Sequence, residues 1–85
     1  VSAFVNYVEV MMKNLPKEIN LFNTINEPGI FSMFGYLSKK KFPPGIQNEK
    51  IFIKASENII AAHKQSMNKI KEYNSNAKVG ISLFI

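Results

Sequence analysis

Cysteine, tryptophan, arginine and aspartate are all missing from this 85-residue chain. The absence of cysteine excludes disulfide staples and thiolate metal sites; it fits a reducing cytoplasm, the compartment expected here, though exported domains also do without cysteine. The absence of arginine removes the bidentate contacts to guanine and phosphate on which nucleic-acid readers rely. Histidine occurs once, at His63. One imidazole with scattered glutamates cannot assemble a metal site, so neither metal nor cofactor is expected. No apolar run approaches the roughly 18 residues needed to cross a membrane, and no membrane partner is expected. Repeats and low-complexity tracts are not found. The chain opens Val1-Ser2-Ala3-Phe4-Val5, with neither an initiator methionine nor a basic leader, which leads to the expectation that translation begins upstream of residue 1.

What is present in quantity is lysine, with all 11 basic residues lysine against 6 glutamates and a net charge of +5. Apart from Lys39-Lys40-Lys41 the lysines are scattered, a pattern that reads as a solvated surface, so no nucleic-acid partner is expected. Binding of RNA or DNA through the lysine cluster stays as an alternative, which a steep salt dependence would reveal. A chain of this length forms one small domain at most, with a modest core and marginal stability unless something covers it.

In chain order, Phe4, Val5, Val8, Met11, Met12 and Leu15 recur at helical spacing and predict an amphipathic helix over residues 1–15, ended by Pro16. The segment opens with no capping residue, as a helix cut partway along its length would. Residues 20–26 alternate, Leu21 and Asn23 opposite Phe22 and Thr24, and predict a buried strand stopped by Pro28. Residues 30–37 read as a short helix packing through Ile30, Phe31, Phe34 and Leu37, with Gly35 a weak point inside it. Residues 39–47 form a loop around Phe42-Pro43-Pro44-Gly45. Asn48 is the predicted N-cap of a long helix ending near Tyr73, whose apolar face carries Ile51, Ala55, Ile59, Ala62, Met67 and Ile70. Val79 to Ile85 reads as a second strand, apolar on both faces apart from Ser82, as a doubly covered parallel strand would be. The order is that of an α/β protein, a β-α-β crossover with a helix in front. Its two strands and their helices cannot cover both faces of their own sheet.

The chemistry concentrates where the first strand runs out. Asn26 and Glu27 bring an amide and a carboxyl side by side into Pro28, at the carboxyl end of a strand, where eight-stranded α/β barrels place their active sites. As a bare tripeptide this is a strand end followed by a turn. Further residues give it company: Thr24 ahead of it, Gly35-Tyr36 followed by Phe42-Pro43-Pro44-Gly45, Asn58 and His63 on the long helix, and Val79-Gly80 opening the last strand. In their order and spacing these resemble the family 1 glycoside hydrolases, the β-glucosidase and β-galactosidase family, and the resemblance extends over essentially the whole chain. Phe22 stands where that family usually has tryptophan.

The resemblance implies retaining hydrolysis of β-glycosides, with a β-linked oligosaccharide or an aryl or alkyl β-glycoside as substrate. It implies that Glu27 is the general acid/base, that Asn26 binds the sugar 2-hydroxyl, and that residues 1–85 are a single, incomplete domain of a (β/α)8 TIM barrel: the end of helix 3, strand 4, helix 4 and the start of strand 5. Such a barrel needs about 250 residues. The reaction uses two carboxyl groups, and the family's nucleophile is a glutamate followed by Asn-Gly. Glu57-Asn58 is followed by Ile59 and falls inside the predicted long helix, so the nucleophile is expected outside this chain and the isolated chain is expected to be inactive. Glu9, Glu18, Glu49 and Glu72 read as solvated charges, and His63 as a hydrogen-bonded residue of the helix's apolar face. The alternative is a free-standing module whose open sheet is covered by a partner or by a second copy of itself.

Overall fold

A computed structural model describes residues 1–38 and 42–83. The elements follow in the order α1 (Ser2–Asn14), β1 (Leu21–Asn26), α2 (Pro28–Ser32), a π-helical turn (Met33–Leu37), α3 (Glu49–Tyr73) and β2 (Lys78–Ser82). The predicted cluster Lys39-Lys40-Lys41 and the last two residues of the predicted second strand, Phe84 and Ile85, lie outside the described residues.

Local chemistry sets the boundaries. Leu15, just before Pro16, takes an extended conformation at φ −82°, ψ 147°, because the proline ring crowds the helical conformation of the residue before it. α3 begins where Asn48 Oδ1 accepts the amides of Lys50 and Ile51, at 3.0 and 3.2 Å, two of the amides that a helix start otherwise leaves unpaired. Glu49 adds a negative charge to the first turn and Lys71 a positive one to the last, both favourable to the helix dipole. After Tyr73, Asn74 Oδ1 accepts the Asn76 amide at 3.1 Å and Asn74 Nδ2 donates to the Ile19 carbonyl at 3.3 Å. That turn delivers Lys78 N–H to the Asn20 carbonyl at 2.8 Å and starts the ladder.

β1 and β2 pair in parallel, Leu21 opposite Lys78, Phe22 opposite Val79 and Asn23 opposite Gly80, with a slip before Asn26 meets Ser82. The rungs sort the side chains onto two faces. Phe22 and Val79 pack with Phe4 and Met12 against a small core of Val8, Ile70 and Ala77, so α1 and α3 lie on one face of the sheet. Phe22 thus contributes its ring to this core. The other face carries Leu21 and Asn23, both exposed, with Leu21 at 71%. The strand expected to be buried is therefore covered on one side only, because both long helices pack against the same face.

The α2 and π-helical stretch buries other residues than its spacing predicts, and α3 buries Ala62 and Ile70 as predicted but Ser66 as well. In the α2 and π-helical stretch the buried positions are Ser32 and Gly35, while Phe31 and Leu37 are exposed. The reason is the proline loop. The last carbonyls of this stretch accept amides from it, Phe42 to Phe34 at 3.2 Å, Ile46 to Gly35 at 2.9 Å and Asn48 to Tyr36 at 3.0 Å, which satisfies groups a helix end leaves open. A β-carbon on Gly35 would stand 3.0 Å from the Pro43 carbonyl oxygen, so glycine is what lets the loop lie this close. Phe34 and Phe42 meet edge to face across the same contact, ring centres 5.5 Å apart. On α3 the buried residues are Ala62, Ser66 and Ile70, whereas Ile51 and Ile60 are exposed. Ser66 has no exposed surface, and among the described residues its hydroxyl has no partner; a small side chain there admits the close approach of packed helices.

Candidate active site

The carboxyl ends of β1 and β2 gather the residues singled out by the sequence. Asn26 closes β1 and is exposed; Glu27 follows it and is half-buried. Glu27 has φ 47° and ψ 57°, the left-handed region, and caps the start of α2, whose first residue is Pro28. Pro28 makes the right-handed region unfavourable for Glu27, and the left-handed turn follows directly on the register slip between β1 and β2. The Glu27 amide donates to the Ser82 carbonyl at 2.8 Å, and its own carbonyl accepts the Ile30 amide at 3.0 Å. Among the described residues the Glu27 carboxylate and the Asn26 amide have no hydrogen-bond or ion-pair partner, so both are free to meet a ligand.

Beneath this end the strand is tied on both faces. On the covered face Thr24 Oγ1 and His63 Nδ1 share a hydrogen bond of 2.7 Å, and Thr24 also reaches the Gly80 carbonyl at 3.4 Å. His63 is thus a hydrogen-bonded residue of the β1–α3 contact. On the open face Asn23 Nδ2 donates to Ser82 Oγ at 2.9 Å. Neither Asn23 nor Ser82 is legible as a site residue in the sequence, although Ser82 is the polar exception in its strand, because their meeting depends on the register of strands far apart in the chain. The only available signal was polarity on a face expected to be apolar.

Other carboxylates lie elsewhere. Glu57 and Asn58 are exposed residues within helix α3, and Asn58 borders a cavity shared with Ile25 of β1. Glu9 is a solvated charge, as expected, but not an isolated one: Tyr73 Oη donates to Glu9 Oε2 at 2.9 Å, and Lys69 Nζ bridges Glu9 at 3.5 Å and Glu72 at 3.0 Å. The Tyr73 hydrogen bond, with help from Lys69 and Lys13, holds the Glu9 carboxyl below its ordinary range. Hydrogen bonding to Glu72 raises Lys69, while partial burial and then Glu9 raise Tyr73. An apolar groove of about 290 Å³, bordered by Pro28, Met33, Phe52, Ile59 and Ile81, begins one residue beyond Glu27. Among the described residues no cluster of histidine and glutamate able to hold a metal ion is present, and no helix is long and apolar enough to cross a membrane.

Two parallel strands joined by a crossover helix make this an α/β fold, with the candidate amide and carboxyl at the carboxyl end of the first strand. The sequence profile of glycosyl hydrolase family 1 matches residues 1–85, and the chain belongs to that family. It is 32% identical over 80 residues to beta-glucosidase A of Acetivibrio thermocellus, covering 94% of this chain and 18% of that protein. It is 26% identical over 78 residues to beta-glucosidase A of Thermotoga maritima, covering 92% of this chain and 17% of that protein. The chain therefore spans less than a fifth of the length of these relatives.

Proposed function

We propose that this chain carries the acid/base half of a retaining β-glycosidase, hydrolysing β-glucosides or β-galactosides as part of a longer enzyme. Residues 1–85 are then one incomplete domain, in which α1 is the end of the barrel's third helix, β1 its fourth strand, α3 its fourth helix and β2 the start of its fifth strand. Glu27 in its protonated form gives a proton to the glycosidic oxygen while a second carboxylate, from outside these residues, attacks the anomeric carbon. The resulting carboxylate of Glu27 then takes a proton from the water that releases the sugar. Asn26 donates an amide hydrogen to the sugar 2-hydroxyl, a contact that strengthens as the ring flattens. The remainder of the barrel covers the open face of the sheet.

The observation that carries this reading is the unpartnered Asn26–Glu27 pair at the end of a parallel strand in a chain of this family. The test is Glu27→Gln in the polypeptide that the source cell makes. Turnover of alkyl β-glycosides, whose leaving groups need a proton, is expected to fall by about 10²- to 10⁴-fold. Undiminished turnover of those substrates would remove Glu27 from the mechanism. A second reading is supported by the exposure of Leu21, Val10 and Ile60: a free-standing module that associates with itself or with a partner, without turnover.

A further inference from the structure

We propose that Asn23 and Ser82 form a positioning pair that sets the aim of Glu27, an assignment that rests on reading Glu27 as the acid/base. The ladder is regular from Leu21 opposite Lys78 to Asn23 opposite Gly80, and the next rung joins Asn26 to Ser82. β1 thus advances from 23 to 26 while β2 advances from 80 to 82, and β1 carries one extra residue. An extra residue bends its strand, interrupts the ladder locally and re-aims the side chains beside it. Glu27, immediately beyond, has a left-handed backbone that a residue with a β-carbon keeps only when its surroundings hold it there.

Ser82 is the holding point, and it is gripped twice. Its carbonyl accepts the Glu27 amide at 2.8 Å, and its hydroxyl accepts the Asn23 amide group at 2.9 Å. Asn23 therefore bridges from the last regular rung across the bulge to the very residue that fixes Glu27. The Thr24–His63 bond secures the opposite face but touches no atom of Glu27. This arrangement also gives the polar side chains at 23 and 82, on the open face of the sheet, a partner in each other. Asn23 and Ser82 act through the backbone of Glu27, so theirs is a positioning role.

Amide hydrogen exchange in the isotope-labelled polypeptide that the source cell makes decides the matter, read as the ratio of the Glu27 amide to that of Ile70 in the last turn of α3. Asn23→Ala and Ser82→Ala are each expected to raise that ratio by about three- to tenfold, the size of one hydrogen bond, and the double variant by no more than either alone. Ser82→Thr, which keeps the hydroxyl, is expected to leave the ratio at its original value. An unchanged ratio in the alanine variants, including one in which both amides speed up together, would overturn the proposal, as would Ser82→Thr behaving like Ser82→Ala. Turnover does not enter this ratio, so failure of the catalytic reading shows separately, in Glu27→Gln.

Discussion

Glu27 occupies φ 47°, ψ 57°, where the β-carbon of an L residue crowds the following carbonyl at a cost of about 1–2 kcal/mol. Glycine escapes that crowding, although at ordinary positions its greater freedom when unfolded makes it less favourable than alanine by about 0.5–1 kcal/mol. The usual order should therefore reverse here. Glu27→Gly is expected to be more stable than Glu27→Ala by about 1 kcal/mol in urea unfolding, both having lost the carboxyl; alanine above glycine would contradict the left-handed backbone. The same residue marks the limit of what the sequence reveals. Asn26, Glu27 and Pro28 could be picked out because amide, carboxyl and proline follow an alternating run. The twist of Glu27 and its tie to Ser82 could not, since they arise from a register slip against a strand at the other end of the chain.

Helices α1 and α3 are joined by Glu9, inside α1, and by Lys69 and Tyr73 in the last turns of α3, and their union has a pH dependence whose sign can be worked out. Glu9 titrates below its ordinary 4.5 in the folded chain, so its contribution is present above that value and disappears as pH falls below it. Tyr73 and Lys69 are raised above 10.0 and 10.5, so theirs is complete below those values and lost as pH rises beyond them. Glu9→Gln is expected to lower the melting temperature slightly at pH 7, a small effect because the groups are solvated, with the gap to the unsubstituted chain closing as pH falls below 4.5. A gap that stayed constant through that range would show that the Glu9 charge is not what matters. At this scale the long helix was the most legible feature: Asn48 and Tyr73 bound it as the capping and spacing rules indicate. Which side of it is buried was less legible, because Ser66 is selected by close approach and not by hydrophobicity. The π-helical turn was hidden because it answers to carbonyls shared with a loop several residues on.

At the scale of the molecule the parallel pairing followed from strand, helix and strand in order, but the one-sided cover of the sheet needed the packing to be seen. Val8, Ile70 and Ala77 form a core too small to leave much margin, while Leu21, Val10, Ile51 and Ile60 remain exposed. In the proposed enzyme these side chains are covered by the rest of the barrel, and Glu27 finds its second carboxylate there. The intact mass of the protein as its source cell makes it, measured under denaturing conditions, is accordingly expected to be several times the 9.7 kDa of these residues. A mass near 9.7 kDa would defeat the hydrolase proposal, because one acid/base carboxyl without a nucleophile cannot complete a retaining double displacement. Exposed apolar groups would then need another cover, and sedimentation of the 85-residue chain should show an average mass that climbs with concentration. The two readings thus part on one measurement: in the first, the open sheet face is covered by the rest of the barrel, and in the second it is the contact that makes the chain stable at all.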